Sequence, residues 1–278
     1  MNLKNIYLLG DIGMLNENVY QLVEQISKIE KEGNILVLLG DNFYPSGVIS
    51  KDDTKWLQFK KLFSKVKMPI YGVLGNHDYL LNPKAQIGNN LMIMDNFYYK
   101  KSFNNVNLYF LDTILLDMGF HCGVTINKIE VVHKENFMKS KKKQLDWLEN
   151  EFKNNNSKRK IVIGHYPMIS NGIYKFALMS IYCSLIALFK KYNVETYISG
   201  HEHNVQFINR KITKDYNLNQ VIIGSSSYRR PLCMRIVPKN DMIDCSDIFY
   251  GKYSIINRNI EYINISGDVK HRYNITNK

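Results

Sequence analysis

The sequence predicts an α/β fold, a sheet of strands alternating with helices, with a second and largely antiparallel sheet packed on it. Three observations predict this. Five times an apolar run of strand length ends in a glycine followed by a residue able to ligate a metal. Between these runs lie stretches with apolar residues at helical spacing, and such alternation gives sheets whose sites sit at the strand C-termini. After Gly200 the helical stretches stop and short apolar runs follow one another directly. No composition break or linker divides the chain, so residues 1–278 read as one domain.

The first run, Ile6-Tyr7-Leu8-Leu9, precedes Gly10-Asp11. Residues 16–31 then carry Val19, Leu22, Val23, Ile26 and Ile29 on one helical face, with Asn16 in the capping position. The second run, 35–39, leads to Gly40-Asp41-Asn42-Phe43-Tyr44, the stretch around which the chain is organised. The glycine lets the backbone turn sharply. A carboxylate can bridge two cations, and a phenolate suits a trivalent metal. Taken alone this stretch reads equally well as a strand, a turn and a packing tyrosine.

Residues 54–66, with Trp56, Leu57, Leu62 and Phe63, predict the second helix. The third run, 70–74, precedes Gly75-Asn76-His77-Asp78. Residues 112–137 read as a long irregular segment, and long loops in compact domains are often functional. Leu145, Trp147, Leu148 and Phe152 mark a helix over 140–152, whose lysine-rich start at 139–143 reads as a solvated face. The run 161–163 precedes Gly164-His165-Tyr166-Pro167, a buried helix is expected over 177–192, and the run 196–199 precedes Gly200-His201-Glu202-His203. Beyond it, 205–208, 220–223, 253–256 and 260–265 read as short strands.

With 278 residues, 45% of them hydrophobic, the chain can bury roughly 75% of its unfolded surface and needs no disulfide staples. The four cysteines, Cys122, Cys183, Cys233 and Cys245, form no Cys-x-x-Cys pair, which argues against a zinc knuckle. No signal-peptide pattern precedes the first strand, so a cytoplasmic, reduced setting is expected, with the sequons at Asn155, Asn264 and Asn274 unused. No stretch reaches the roughly 20 apolar residues of a membrane span; the nearest, 176–189, is shorter. Lys and Arg total 37 against 25 Asp and Glu, a formal charge of +12. Such a surface favours anionic partners. We read it instead as a solubilising lysine and asparagine surface, and expect no stable nucleic-acid complex and a monomer.

The strand-end residues are Asp11, Asp41, Tyr44, Asn76, His77, His165, His201 and His203. Carboxylates, imidazoles, an amide and a phenol without a thiolate suit hard or borderline ions such as Fe(III), Fe(II), Zn or Mn. They outnumber the needs of one metal, and two ions roughly 3.5–4 Å apart, bridged by Asp41, would use them all. A lone strand-end histidine is more often a hydrogen-bonded core residue, but five glycine-ligand junctions in order make that improbable for the set.

These motifs resemble the five blocks of the dinuclear, calcineurin-like metallophosphoesterases. Tyr44 in the second block, His165-Tyr166-Pro167 in the fourth, Ala85-Gln86-Ile87 and Leu111-Asp112-Thr113 look like one branch, the purple acid phosphatases of the tartrate-resistant type. The resemblance covers residues 4–230. It implies a four-layer αββα sandwich of two mixed sheets flanked by helices. It implies that Asp11, Tyr44 and His203 hold Fe(III), that Asn76, His165 and His201 hold a divalent ion (Fe, Zn or Mn), and that Asp41 bridges them. His77 would be the catalytic, non-ligand histidine that contacts the substrate phosphate, with Asn76 also at the substrate.

The implied activity is acid phosphatase, a phosphomonoester hydrolase that uses metal-bound hydroxide for in-line attack on phosphorus. A phosphodiesterase or nuclease on the same fold is the alternative, and a catalytically inactive phosphate-binding module is another. Two features depart from the family: residues 168–176 contain no histidine, where the family usually has one near the leaving group, and no signal peptide is seen. Arg229 and Arg230 either reach the site rim to bind substrate anions or lie in a solvated loop; base rates for surface arginines favour the loop. His121 and His133 receive no role.

Overall fold

The apolar runs before Gly10, Gly40 and Gly75 form the strands β1 (Asn5–Leu9), β2 (Asn34–Leu38) and β3 (Ile70–Gly72). In the computed structural model, residues 1–117, 124–155, 159–174, 179–230 and 237–276 are described. Every residue of β2 is buried, as expected of a strand covered on both faces. Helix α1 (Glu17–Ser27) follows β1 and buries Val19, Leu22, Val23 and Ile26. Asn16 caps it, its side chain accepting from the Val19 N–H. Helix α2 (Lys55–Phe63) follows β2 and ends earlier than its apolar pattern. Leu57, expected on its inner face, is 69% exposed; Phe59 takes that place.

The second sheet begins with β4 (Tyr99–Ser102) and β5 (Val106–Phe110). After helices α3 (Ile126–His133) and α4 (Phe137–Lys153) come β6 (Arg159–Ile163), α5 (Met179–Lys191) and β7 (Thr196–Ser199). The remaining strands are β8 (Val205–Thr213), β9 (Tyr216–Ile223), β10 (Met242–Asp244), β11 (Phe249–Ser254), β12 (Asn259–Asn264) and β13 (Val269–Asn274).

The strands after Gly200 do not build the separate antiparallel sheet expected for them. They are shared between two mixed sheets. One has the order β13-β12-β11-β1-β2-β3, the other β10-β8-β9-β7-β6-β5-β4. β11 pairs antiparallel with β1 while β9 pairs parallel with β7. Five helices among the described residues accompany the sheets, giving the αββα sandwich. Hydrogen bonds join the two sheets: Tyr262 Oη donates to the Gln206 carbonyl at 2.6 Å, and the Thr196 and Tyr253 hydroxyls lie 2.9 Å apart.

Register positions the site. Leu9 pairs with Leu38 and Leu38 with Gly72, so β1, β2 and β3 end level and their C-terminal loops share one edge. Ile163 pairs with Ile198 and Ser199 with Ile222, which aligns the ends of β6 and β7 on the facing sheet.

Three further expectations are corrected. Residues 112–137 are not irregular, because a 3-10 turn (Thr113–Leu116) and α3 occupy most of the described part. Thr125 caps α3 by accepting from the Lys128 N–H. Helix α5 is not buried all round: Ile181, Leu185 and Phe189 face inward while Met179 is 57% exposed. Residues 176–178, expected within that region, lie outside the described residues. Cys245 is disulfide-bonded and Cys183 is free. That runs against the reduced setting expected from the sequence, since cytosolic thiols are kept reduced. His121, Cys122 and Cys233 lie outside the described residues. The lysine-rich start of α4 is a solvated face, with Lys139 and Lys142 more than half exposed. No helix among the described residues is long and apolar enough to cross a membrane.

Candidate metal centre

Asp11 and Asp41 leave their strands with φ of 58° and 53°, and His201 and His203 with 73° and 51°. Left-handed backbone is uncommon for residues with a Cβ. Here it turns each side chain back over the strand ends. Gly40, at φ 89°, approaches closely enough that a Cβ would meet His165 Nδ1 at 2.7 Å. A Cβ on Gly75 would meet Asp41 Oδ1 at 2.2 Å. These contacts require glycine, and they bring the loops after β2, β3 and β6 together.

All eight strand-end residues converge there. Asp11, Asp41, Asn76, His165, His201 and His203 are buried. Asp41 points its two oxygens in different directions. Oδ1 lies 3.6 Å from His165 Nε2, and Oδ2 lies 3.1 Å from the Tyr44 hydroxyl. Tyr44 is also 3.2 Å from Asp11 Oδ1, which lies 3.9 Å from His203 Nδ1. Asn76 Oδ1 lies 3.1 Å from His165 Nε2. The His201 and His165 rings are 5.0 Å apart, and the His201 N–H donates to Asp11 Oδ2 at 2.8 Å.

The histidines are held by their outer atoms. His165 Nδ1 donates to the Leu39 carbonyl at 2.8 Å, which leaves its Nε2 lone pair facing Asn76 and Asp41. Burial holds His165 below the usual imidazole range despite the opposing pull of Asp41. His203 Nε2 meets the Tyr228 hydroxyl at 2.8 Å, so Nδ1 is the nitrogen turned towards Asp11. Burial, then Arg230 and the other histidines, bring His203 down to about 3. Neutral imidazoles are what a metal requires.

The carboxylates are costly by comparison. Burial and then the neighbouring Asp41 push Asp11 well above the usual carboxylate range, against hydrogen bonds from His201 and Tyr44. Among the described residues neither Asp11 nor Asp41 pairs with a lysine or arginine. Burial and these two acids also hold the Tyr44 phenol well above its ordinary value. Asp11, Asp41 and His165 each offer a ligand atom, all within 4.8 Å of one another. Buried, unneutralised carboxylates facing imidazole lone pairs fit a metal ion, whose charge would relieve them.

Behind these side chains, Asp78 ties two loops. It accepts from the Gly75 N–H at 2.8 Å, the Asn42 N–H at 3.2 Å and Gln86 Nε2 at 2.8 Å. Asn42 Nδ2 donates to Gln86 Oε1 at 3.1 Å. His77 stands in front. Its Nδ1 donates to the Pro45 carbonyl at 2.5 Å, and its side chain is 32% exposed. It lines a mouth of about 740 Å³ with Met14, Tyr44, Pro45 and Tyr228.

Sequence reasoning missed Tyr174, Tyr228 and the position of Arg230. Tyr228 stacks on His203 at 4.2 Å, and Tyr174 stacks on His201 at 4.5 Å. Arg230 is not in the solvated loop that base rates favoured: it is partly buried over the Tyr174 ring. Arg229 is exposed and donates to the Cys245 carbonyl. The serine-rich stretch before them was the available signal. It locks onto the end of β1, with Gly10 N–H donating to Ser226 Oγ at 3.2 Å.

Comparison with known proteins matches residues 4–205 to the calcineurin-like phosphoesterase family. The chain is 29% identical over 226 residues to tartrate-resistant acid phosphatase type 5 of Oryctolagus cuniculus, covering 75% of this chain and 66% of that protein. It is 28% identical to the Homo sapiens protein of the same name, covering 71% of this chain and 62% of that protein. Purple acid phosphatase 17 of Arabidopsis thaliana is 25% identical, covering 97% and 82%. The chain thus spans a little under two thirds of the length of the tartrate-resistant relatives.

Among solved structures, GAP50, described as the anchor in the inner membrane complex of Plasmodium, has a TM-score of 0.76 at 20% identity, covering 99% of this chain and 89% of that one. The purple acid phosphatase PPD1 of yellow lupin (Lupinus luteus) has a TM-score of 0.66 at 16% identity, covering 97% and 53%. Both likenesses bear on the fold. With most of its length matched and its motifs converging on one buried centre, the chain belongs to the calcineurin-like phosphoesterase family, and the relatives it is similar to are tartrate-resistant and purple acid phosphatases.

Proposed function

We propose that the chain is a metal-dependent phosphomonoester hydrolase with a dinuclear centre. The observation that carries this reading is the division of Asp41: one oxygen accepts from the His77 backbone N–H at 2.9 Å and lies 3.6 Å from His165 Nε2, which in turn meets Asn76, while the other faces Tyr44 and, beyond it, Asp11. A carboxylate so placed suits a bridge. Asp11, Tyr44 and His203 would hold Fe(III) on one side, and Asn76, His165 and His201 would hold Fe(II), Zn or Mn on the other. When bound, the metals supply a nucleophilic hydroxide near neutral pH and neutralise charge on the phosphoryl oxygens.

The chain's own residues do the rest. Asn76 and the three histidines present neutral donors, so the substrate's charge is not repelled by further carboxylates. His77 lines the mouth and has its Nδ1 committed to Pro45, which leaves Nε2, 4.0 Å from Asp41 Oδ2, as its uncommitted nitrogen. From there it would hydrogen-bond the phosphate or protonate the departing alkoxide. Tyr44 and Tyr228 wall the same mouth, which excludes water from one side of the substrate.

GAP50 is named an anchor, and an inactive phosphate-binding module is the corresponding second reading for this chain. The complete donor set favours hydrolysis. The test is metal quantitation on the purified, reconstituted protein, with turnover of p-nitrophenyl phosphate compared with its bis-ester. Two metals per chain and preference for the monoester are expected. Strong preference for the diester would move the assignment to a phosphodiesterase. Less than one metal per chain with neither ester hydrolysed would support the binding module.

A further inference from the structure

We infer that Arg230 grips the substrate phosphate at the rim of this centre and sets a preference for monoesters over diesters. This rests on the phosphatase reading above. The backbone of Arg230 is fixed to the centre, its N–H donating to the His203 carbonyl at 2.9 Å. Its guanidinium lies 4.9 Å from the centre of the Tyr174 ring, and that ring stacks on His201 at 4.5 Å. Arg230 therefore touches the same aromatic platform as one proposed ligand and is hydrogen-bonded through its backbone to another.

Its donors are not all spent within the protein: one side-chain hydrogen bond goes to Tyr174. Nη1 is buried and has no hydrogen-bond partner among the described residues. The guanidinium makes no salt bridge within 4.0 Å among them, although the Glu202 carboxylate, which accepts from the Ser170 hydroxyl, is near enough to attract it. A buried guanidinium donor without a partner is destabilising on its own. It becomes favourable when an anion arrives.

The chemistry of the guanidinium selects the anion. A planar fork of N–H donors pairs with two oxygens of one phosphate at once. A monoester dianion offers three non-bridging oxygens and two charges, whereas a diester offers two oxygens and one charge. With part of the phosphate engaged elsewhere in the site, the monoester has one more oxygen left for the fork. The absence of histidine from residues 168–176 is consistent with this arrangement, since Tyr174 of that loop carries the arginine instead.

The test uses the metal-loaded protein and its Arg230→Ala and Arg230→Lys variants. Metal content and thermal unfolding are measured first, then inorganic phosphate is titrated by calorimetry. Arg230→Ala should keep its metals and bind phosphate about 10- to 100-fold more weakly, the value of lost hydrogen bonds from a charged donor. KM for p-nitrophenyl phosphate should rise by a similar factor, kcat should fall less, and the bis-ester should lose less than the monoester. Arg230→Lys should recover part of the affinity, because it restores charge without the fork. Phosphate affinity and ester preference within twofold of the original would overturn the inference, as would loss of metal from Arg230→Ala. If the unaltered protein binds phosphate yet hydrolyses neither ester, the phosphatase reading fails, and the phosphate titration still decides the role of Arg230.

Discussion

The carboxyl of Asp78 gives the most quantitative test of how this centre is built. It is fully buried, and desolvation followed by the charge of Asp41 raises it from 3.8 to about 7. Hydrogen bonds from Gln86, Gly75 and Asn42 work in the opposite direction. For a carboxyl raised in the folded state, the folded protein binds the proton more tightly than the unfolded chain. Its contribution to stability therefore falls as pH rises from about 4 to about 7. Three pH units at 1.36 kcal/mol each correspond to about 4 kcal/mol across that window, as an order of magnitude.

The trend is obscured in the protein itself, because His165 and His203 are lowered in the folded state and lose stability as pH falls below 6.5. The comparison with Asp78→Asn cancels them, since both proteins carry both histidines. In chelated protein, thermal unfolding of the two should be followed between pH 8 and pH 5. The original should gain on the variant steadily as pH falls, by several degrees and up to about 10 °C, at roughly 2–4 °C per kcal/mol for a domain of this size. Restoring metal should shrink the effect, because a cation on Asp41 removes the like charge. A difference that is flat with pH, or that grows as pH rises, would refute the buried-acid account.

Asp41→Asn removes the proposed anionic bridge and should cost at least one metal and nearly all activity, while circular dichroism shows the chain still folded; two metals with ordinary turnover would remove the bridging role. His77→Ala should lower kcat by roughly 10²–10⁴ with both metals retained, and a parallel fall in metal content would make His77 a ligand instead. Iron-loaded, oxidised protein should absorb visible light through phenolate-to-Fe(III) charge transfer. Tyr44→Phe should lose that band with little change in packing, and Fe(III)-loaded original protein without the band would end the claim for Tyr44.

The strand-end positions that converge on the centre were legible because each is a local event. An apolar run, a glycine and a donor are adjacent in sequence, and β1, β2, β3, β6 and β7 end as expected. The partition of strands between sheets was not legible, since it depends on pairings such as Tyr7 with Lys252, far apart in the chain. β13 was missed because it is an exposed edge with little apolar signal, and β4 because its sequence Tyr99-Lys100-Lys101-Ser102 is mostly polar. Helix α3 hides behind a short apolar pattern. Tyr174, Tyr228 and Arg230 reach the centre only through tertiary packing, and the serine-rich stretch before Tyr228 was the one local signal for two of them. Asp78 and Gln86 lay within recognised stretches, but their task of tying the Gly40 and Gly75 loops together needed three dimensions.

Backbone strain supports a functional origin for the centre independently of any motif. Among the described residues, eight without a glycine's freedom have positive φ, and four of these are Asp11, Asp41, His201 and His203. Each such conformation costs on the order of 1–2 kcal/mol for an L-residue with a Cβ. A sequence shaped by stability alone would place glycine or asparagine there, as it places glycine at position 40. Glycine at 41 would relax the backbone but delete the carboxylate that faces both His165 and Tyr44. Glycine at 203 would delete the nitrogen turned towards Asp11. The strain is concentrated at four of the proposed metal-site residues, and it is divided between the two sheets, with the acids after β1 and β2 and the imidazoles after β7. Cations held between those groups would bind both sheets at the edge where, among the described residues, the buried carboxylates form no salt bridge with a lysine or arginine. That makes the centre a structural junction as well as a chemical one.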